Sequence, residues 1–399
     1  MLRKSPFFDF LNRHNSHSFE QYVARSREDE HYIDWNGFVL PNDYGDAAEE
    51  YRGVREQCGL CDVTPMQKIR IQGPEAGRFL DHLLTRPVSS MASLRAGYTV
   101  FCTDEGYLKD DAMLYKLAYD DYLLLPSDVD HVPFFETVCE RYGIDRVRFT
   151  TDVDAYAGLA VQGPAAAAVV HQLGFAQAPQ FKPLEVRHVD IGAGRGLLAR
   201  MGFTADLGYE FWIPPDEVET LTERIETLGA AYGPLPGYGL TAIQVCRMEG
   251  GFIVAGWDCS TEIDPVPGFE RSPFELGLGW LVNLDAGDFV GRDALRTQQA
   301  QGARHALRYL RGEDETPIAD GEAVFAMVDG QETQIGFVTS SGWSWGLKQM
   351  IGNVSVEAAH QSCGQAFVQL AGDRCAIELT QKPPLNLKRR TQVPASDVF

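Results

Sequence analysis

The stretch Tyr98-Thr-Val-Phe-Cys-Thr-Asp-Glu-Gly-Tyr-Leu-Lys-Asp-Asp-Ala-Met-Leu-Tyr-Lys116 decides how this chain is read. Two runs that alternate apolar and polar residues, Tyr98 to Cys102 and Ala112 to Leu117, flank a turn carrying Asp104, Glu105 and Gly106, which predicts a β-hairpin. Asp110 and Asp111 then fall at the start of the returning strand. Successive strand residues face opposite sides of a sheet, so one carboxylate is expected to point inward and the other to solvent. An inward carboxylate is costly unless it is paired or used, and that marks it as a candidate for chemistry.

Working outward, the strand Lys68 to Ile71, the turn Gln72-Gly73-Pro74 and a helix over 75–84 form a unit, with Ala76, Phe79, Leu80, Leu83 and Leu84 at helical spacing. The unit returns as the strand Tyr156 to Val161, the turn Gln162-Gly163-Pro164 and a helix over 165–173. Further on, Asp121-Tyr-Leu-Leu-Leu-Pro-Ser-Asp128 and Tyr209-Glu-Phe-Trp-Ile-Pro-Pro-Asp216 each read as a strand, a proline stop and an acidic helix start, leading into helices over 132–139 and 218–228. A duplicated strand-helix-strand-strand-helix unit predicts an α+β fold with two related ferredoxin-like halves, whose packing leaves a central cleft for a ligand.

Before the first unit, the first 50 residues read as an irregular polar and aromatic arm, followed by a helix over 46–57. After the second, Gly239 to Phe252 predicts a short helix carrying Arg247 and Glu249 and ended by Gly250-Gly251. Pro273 to Val282 reads as a buried strand, and Asp288 to Leu295 as a turn into a helix. From about Arg304 onward, short strands with Gly-rich turns predict a small β-barrel. The expected division is 1–150 for the arm and first α+β domain, 151–300 for the second, and 301–399 for the barrel.

A chain of 399 residues suits two or three domains. Its 44% hydrophobic and 23% charged residues are the balance of a soluble globular protein. The net charge of −21 argues against nucleic acid or an anionic membrane surface as partner and fits a cationic or zwitterionic substrate. No apolar run approaches the roughly 18 residues of a membrane span, and Met1 to Pro6 lead into no signal-peptide core, so a cytoplasmic location is expected. Of eight cysteines, only Cys58 and Cys61 are spaced as Cys-x-x-Cys, with no second pair to complete a zinc site; buried structural thiols and no metal are expected.

The hairpin ending in Asp110-Asp111, the paired Gln-Gly-Pro turns, Cys246-Arg-Met-Glu249, Pro273-Phe-Glu-Leu-Gly-Leu278 and Asp288-Phe-Val-Gly-Arg-Asp-Ala-Leu295, in this order, resemble the folate-dependent aminomethyltransferase family, typified by the T-protein of the glycine cleavage system. The resemblance extends from about residue 35 to 385. It implies a three-domain cloverleaf that binds tetrahydrofolate in its central cleft and moves a one-carbon unit onto it. By position it implies that Tyr98 lies beside the folate, that Asp111 is the catalytic carboxylate near the reacting nitrogens, and that Glu210 is the pterin-edge carboxylate. One carboxylate can accept the pterin's amino group and ring N–H as a bidentate pair. Asp110 is then left to cap the turn or face solvent.

Where family members show Asp-Val-Ser-His-Met, this chain has Asp62-Val-Thr-Pro-Met66; Ile243 stands at the arginine of their Gly-Ala-Arg-Asp segment, and Pro126 replaces an asparagine. Losing that arginine removes a fixed cation with five donors. The loop Gly256 to Ser272 is longer than usual, which should change what enters the cleft, and its Trp257 joins the expected folate contacts. Trp35, Tyr44, Trp343 and Trp345 are candidates to hold a cationic substrate, or are ordinary packing.

These departures favour a tetrahydrofolate-dependent methyltransferase that takes a methyl group from a sulfonium, a methylated or quaternary amine or a methoxy compound. The alternative is an aminomethyltransferase that accepts its group from a lipoyl carrier protein and forms methylene-tetrahydrofolate and ammonia. A non-catalytic folate-binding protein is the third reading, and the Lys-Gly-Cys-Tyr-x-Gly-Gln-Glu segment of that class is absent.

Overall fold

Two five-stranded antiparallel sheets of the same strand order, a closed six-stranded barrel and an N-terminal arm make up the molecule, seen in a computed structural model that describes residues 3–24, 31–262, 265–313, 315–370 and 372–394. The arm contains β1 (Arg3–Lys4), α1 (Phe8–Leu11), α2 (Phe19–Ala24), β2 (Tyr32–Trp35), β3 (Phe38–Pro41) and α3 (Ala47–Glu56). The first half follows as β4 (Gly59–Asp62), β5 (Ile69–Gln72), α4 (Ala76–Leu83), β6 (Arg95–Cys102), β7 (Leu108–Ala118), β8 (Asp121–Pro126), α5 (Val132–Tyr142) and β9 (Arg148–Thr151). The second half is β10 (Ala157–Gln162), α6 (Ala166–Gln172), β11 (Val186–Asp190), β12 (Arg195–Ala199), β13 (Gly208–Ile213) and α7 (Val218–Tyr232). Then come α8 (Leu240–Glu249), α9 (Arg292–Gln301) and the barrel strands β14 (His305–Gly312), β15 (Ala323–Val328), β16 (Gln331–Ser344), β17 (Gln349–Glu357), β18 (Gln365–Leu370) and β19 (Asp373–Thr380).

The sheets run β6-β7-β8-β5-β9 and β11-β12-β13-β10-β4, so the duplication is complete and each sheet holds two strands more than the three of the unit read from the sequence. The paired Gln-Gly-Pro turns need their glycines: Gly73 and Gly163 have φ of +127° and +131°. A Cβ at Gly73 would sit 2.3 Å from the Arg146 carbonyl oxygen, and one at Gly163 2.6 Å from that of Gln57. Arg146 leads into β9 and Gln57 into β4, so the two turns hold equivalent neighbours.

The expected boundaries at 150 and 300 are crossed. β4 pairs with β10 and so belongs to the second sheet, and Phe7 and Leu11 of the arm pack into the second half's outer core. Helix α9 lies against the first half, where Leu295 packs on Cys102. Local periodicity identifies a strand; which sheet takes it depends on an edge made elsewhere in the chain.

The period of two sorts the side chains. On the outer faces, Ile69, Ile71, Ala112 and Leu114 pack on Phe79, Leu83, Phe135 and Val138 of α4 and α5, while Leu159, Val161, Phe211 and Ile213 pack on Val169, Val170, Leu221 and Ile225 of α6 and α7. The inner faces meet each other: Tyr115, Leu117, Leu123 and Leu125 from one sheet and Ala160, Leu197 and Trp212 from the other form a central cluster with Val245 and Met248 of α8 and Ile351 of β17.

The segment 273–282 is not a strand. It folds as turns, with Leu278 N donating to Pro273 O at 2.7 Å and Leu281 N to Leu278 O at 2.8 Å, and with Gly277 at φ +72°. Its Leu276, Leu278 and Leu281 are buried against Val100, Leu108 and Ile253, and an apolar run reads the same whether a strand or a buried turn presents it. The Cys246-Arg-Met-Glu motif fastens α8. Arg247 pairs with Asp258 at 2.7 Å, and Glu249 accepts from Arg55 at 2.7 Å and from Tyr51 at 2.6 Å. Cys58 and Cys61 are buried and form no disulfide, and burial pushes both well above the usual thiol range, as inert structural groups require. No helix among the described residues is long and apolar enough to cross a membrane.

Candidate active site

Across the β6–β7 hairpin Tyr98 pairs with Met113 and Val100 with Asp111, so Tyr98 and Asp111 are diagonal neighbours on the inner face. The Tyr98 hydroxyl lies close enough to Asp111 to favour its ionised carboxylate. Burial, and then the neighbouring charge of Asp110, push Asp111 up to about 7, against this effect of Tyr98. A carboxyl group in that range can hold or release a proton at neutral pH.

Asp110 faces the other way, and the expectation that it caps the turn or meets solvent is overturned. It is 1% exposed, accepts from Ser127 Oγ at 2.7 Å and the Asp111 amide at 2.8 Å, and lies 2.8 Å from His131 Nε2. The reason is positional: β7 is an interior strand, and the start of α5 with His131 covers its outer face. Asp110 is thus withdrawn from bulk water toward the helices, while Asp111 is half-buried on the inner face.

Glu210 lies on β13, opposite Ala160 and Ala199, and shares the inner face with Trp212. It is 6% exposed, and burial raises its carboxyl to about 7, with no cation among the groups that act on it. Tyr115, from the other sheet, reaches across: its hydroxyl donates to Glu210 Oε2 at 3.4 Å and accepts from Trp212 Nε1 at 3.1 Å. A buried carboxylate with so long a contact retains acceptor capacity for donors from a ligand. Half-buried Met66, Met113, Tyr156, Met201, Ile243 and Trp345 pack at the margin of this central cluster. Ile243 thus presents an apolar side chain at this margin.

The aromatic candidates do not form a cage. Trp345 lies at the margin of the central cluster, 5.4 Å from the Tyr51 ring. Trp343 packs on the barrel core, and Tyr44 on the outer core of the second half, where a Cβ at Gly237 would be 2.9 Å from its ring. Trp35 donates to Asp128 at 2.5 Å, and the Asn36 amide beside it donates to the Pro65 carbonyl at 2.8 Å, so the arm's hairpin rests on the Thr64-Pro65-Met66 segment. Trp257 is half exposed, its ring 5.9 Å from the Arg247 guanidinium. Holding a cation needs rings converging on one point, and chain proximity of aromatic residues does not supply that.

Two residues escape a sequence reading. Tyr115 was detectable in principle, since it lies four residues after Asp111 on the same face; His131 was not, because its role depends on where α5 packs. A cavity of about 630 Å³ lies elsewhere, between the arm, α3 and α7, lined by Phe10, Tyr44, Arg52, Ile225 and Leu235. Neither inward carboxylate, Asp111 or Glu210, lines it.

Comparison with known proteins agrees with this architecture. The family model described as the GCVT N-terminal domain matches residues 24–286, and that of the glycine cleavage T-protein C-terminal barrel domain matches residues 306–385. The chain is 31% identical over 368 residues to an aminomethyltransferase of Halalkalibacterium halodurans, covering 92% of this chain and 93% of the relative. It is 32% identical over 340 residues to one of Streptomyces avermitilis, covering 84% and 88%. The crystal structure of glycine cleavage system aminomethyltransferase T from Bartonella henselae matches 98% of this chain and 99% of that one with a TM-score of 0.81; at 21% identity this shows a shared fold.

Proposed function

The chain belongs to the glycine cleavage T-protein family, and from that premise we propose that it transfers a one-carbon unit to tetrahydrofolate, with Glu210 on the pterin edge and Asp111 beside the reacting nitrogens. One observation carries the reading: each half contributes one inner-face carboxylate, Asp111 on β7 and Glu210 on β13. Glu210 fits the group, because its long Tyr115 contact leaves room for a paired amino and ring N–H.

Bound tetrahydrofolate supplies the nucleophilic nitrogen that takes the carbon. The Tyr98 hydroxyl favours the ionised Asp111 carboxylate. Asp111 offsets the positive charge that develops at the attacking nitrogen and takes up its proton, which a carboxyl near neutrality does efficiently. The apolar margin around Met113 and Met201 excludes water and aligns donor and acceptor, and such positioning is worth several kcal/mol.

For the donor, the names of the relatives support an aminomethyl group; held as a thioether on a lipoyl carrier protein, its carbon would pass to tetrahydrofolate as methylene, its nitrogen leave as ammonia and its sulfur return to the carrier as a free thiol. A second reading, methyl transfer from a small sulfonium, methylated amine or methoxy compound, is favoured by Ile243 at the arginine position and by the longer loop from Gly256. One assay separates them. Ammonia release with lipoylated aminomethyl carrier and tetrahydrofolate supports the first; 5-methyl-tetrahydrofolate formed only from a methylated donor supports the second. Folate binding with neither product makes the chain a non-catalytic folate binder.

A further inference from the structure

The N-terminal arm holds a cluster that the transfer chemistry does not use. His17 precedes α2, His31 precedes β2, and Asp43 lies between β3 and α3. His17 Nε2 lies 2.6 Å from Asp43 Oδ1, and His31 Nδ1 lies 3.4 Å from Oδ2. One ligand atom from each residue falls within 4.8 Å of the other two. The two imidazoles are stacked, with centroids 3.4 Å apart and planes 12° apart, and each turns a ring nitrogen toward the same carboxylate.

We propose that His17, His31 and Asp43 bind one zinc-type divalent ion, through two imidazole nitrogens and one carboxylate oxygen, with the remaining position open to water. The donor set is that of zinc, since imidazole favours first-row ions of this kind over calcium or magnesium. Two ligands about 2.1 Å from a tetrahedral ion are roughly 3.4 Å apart, which matches the His31 pair, requires the His17 pair to open by somewhat less than 1 Å, and requires the stacked rings to tilt apart so that both in-plane lone pairs meet the ion. The ligands are held from behind. The Gly45 amide donates to Asp43 Oδ1 at 2.9 Å, and the His17 amide to Asn15 Oδ1 at 2.8 Å.

The ion ties together three loops of the one N-terminal arm, with 14 residues from His17 to His31 and 12 from His31 to Asp43, and so its role is to hold the arm's own fold. It fastens the arm whose Trp35 and Asn36 rest on Asp128 and Pro65, beside Met66 at the central margin. A metal that ties loops together contributes its binding free energy to their folding.

Titration calorimetry of Zn²⁺ into the full chain, stripped with chelator, tests this. The expected result is one ion per chain, with affinity reduced about a hundredfold or more in Asp43→Asn and unchanged in His14→Ala, an exposed neighbour. Limited proteolysis gives a second readout on unaltered protein: zinc should slow cleavage within the first 45 residues several-fold, and chelator should reverse the effect. No one-to-one binding by wild type, or equal affinity in wild type and Asp43→Asn, overturns the site. In that case the cluster is a hydrogen-bonded staple only.

Discussion

The two halves share a fold and differ where they face each other. Gln72 pairs with Asp121 in the first and Gln162 with Gly208 in the second, so counting along the ladders sets Tyr122 against Tyr209, Leu123 against Glu210 and Leu125 against Trp212. On the next strands Met113 pairs with Leu125 and Leu197 with Trp212, which sets Asp111 against Arg195, an exposed residue at the start of the shorter β12. The tyrosines keep the same outward job in both halves, under the helices. Inner positions diverge: a carboxylate in one half meets leucine or an exposed arginine in the other. Outer faces are thus what the fold requires, and the inner carboxylates, which the fold does not require, are what the proposed folate site would use.

The sharpest test of this division is Asp111→Asn. The amide keeps the volume and can accept from Tyr98, so folate should still bind; it carries no charge to offset the developing cation, and turnover should fall roughly a hundredfold or more, about 3 kcal/mol of barrier. Wild-type turnover in this variant, measured by product formation, would break the assignment.

Glu210→Leu gives the second half the residue of the first. With its folded pKa raised to about 7, Glu210 holds more protons folded than unfolded between its ordinary range and 7, so its contribution to stability falls as pH rises through that window. Above pH 7 the burial costs up to about 3 kcal/mol, part of it offset by the Tyr115 contact. Urea unfolding should therefore show the variant about 2 kcal/mol more stable than wild type at pH 8 and little different at pH 4, with folate binding lost. Equal stability at both values would mean that the carboxylate is solvated.

Asp110→Asn should show the smallest effect on chemistry. Its partners are Ser127 and His131 on the helix side, so stability is expected to drop by about 1–2 kcal/mol in thermal unfolding while turnover falls far less than in Asp111→Asn. A larger loss of turnover than in Asp111→Asn would reverse the roles of the two.

Much of the outer architecture was legible because it is local: the Gln-Gly-Pro turns, the helical spacing of Phe79, Leu80 and Leu83, and the alternation along β7 each act within a few residues. Alternation also predicted that Asp110 and Asp111 face opposite ways, which they do. What stayed hidden depends on partners remote in sequence. Asp110 is buried because His131 covers it, β4 joins the far sheet because that edge is open there, and Trp35, Tyr44, Trp343 and Trp345 scatter because each packs on a different core. The three central candidates, Tyr98, Asp111 and Glu210, came from family resemblance; parity alone would have marked Leu123 and Glu210 alike.

The central claim is that carboxylates from both halves serve one folate. Titration calorimetry of tetrahydrofolate into wild type and Glu210→Gln, at pH 6 and pH 8, tests it most directly. A carboxylate near pH 7 is about one-tenth ionised at the lower value and nine-tenths at the higher, so wild-type affinity should rise up to about tenfold, with protons released on binding. One site per chain is expected, and in Glu210→Gln the binding should be weaker and much less dependent on pH. Binding of the same strength and pH dependence in both proteins, or none in wild type, would contradict the account.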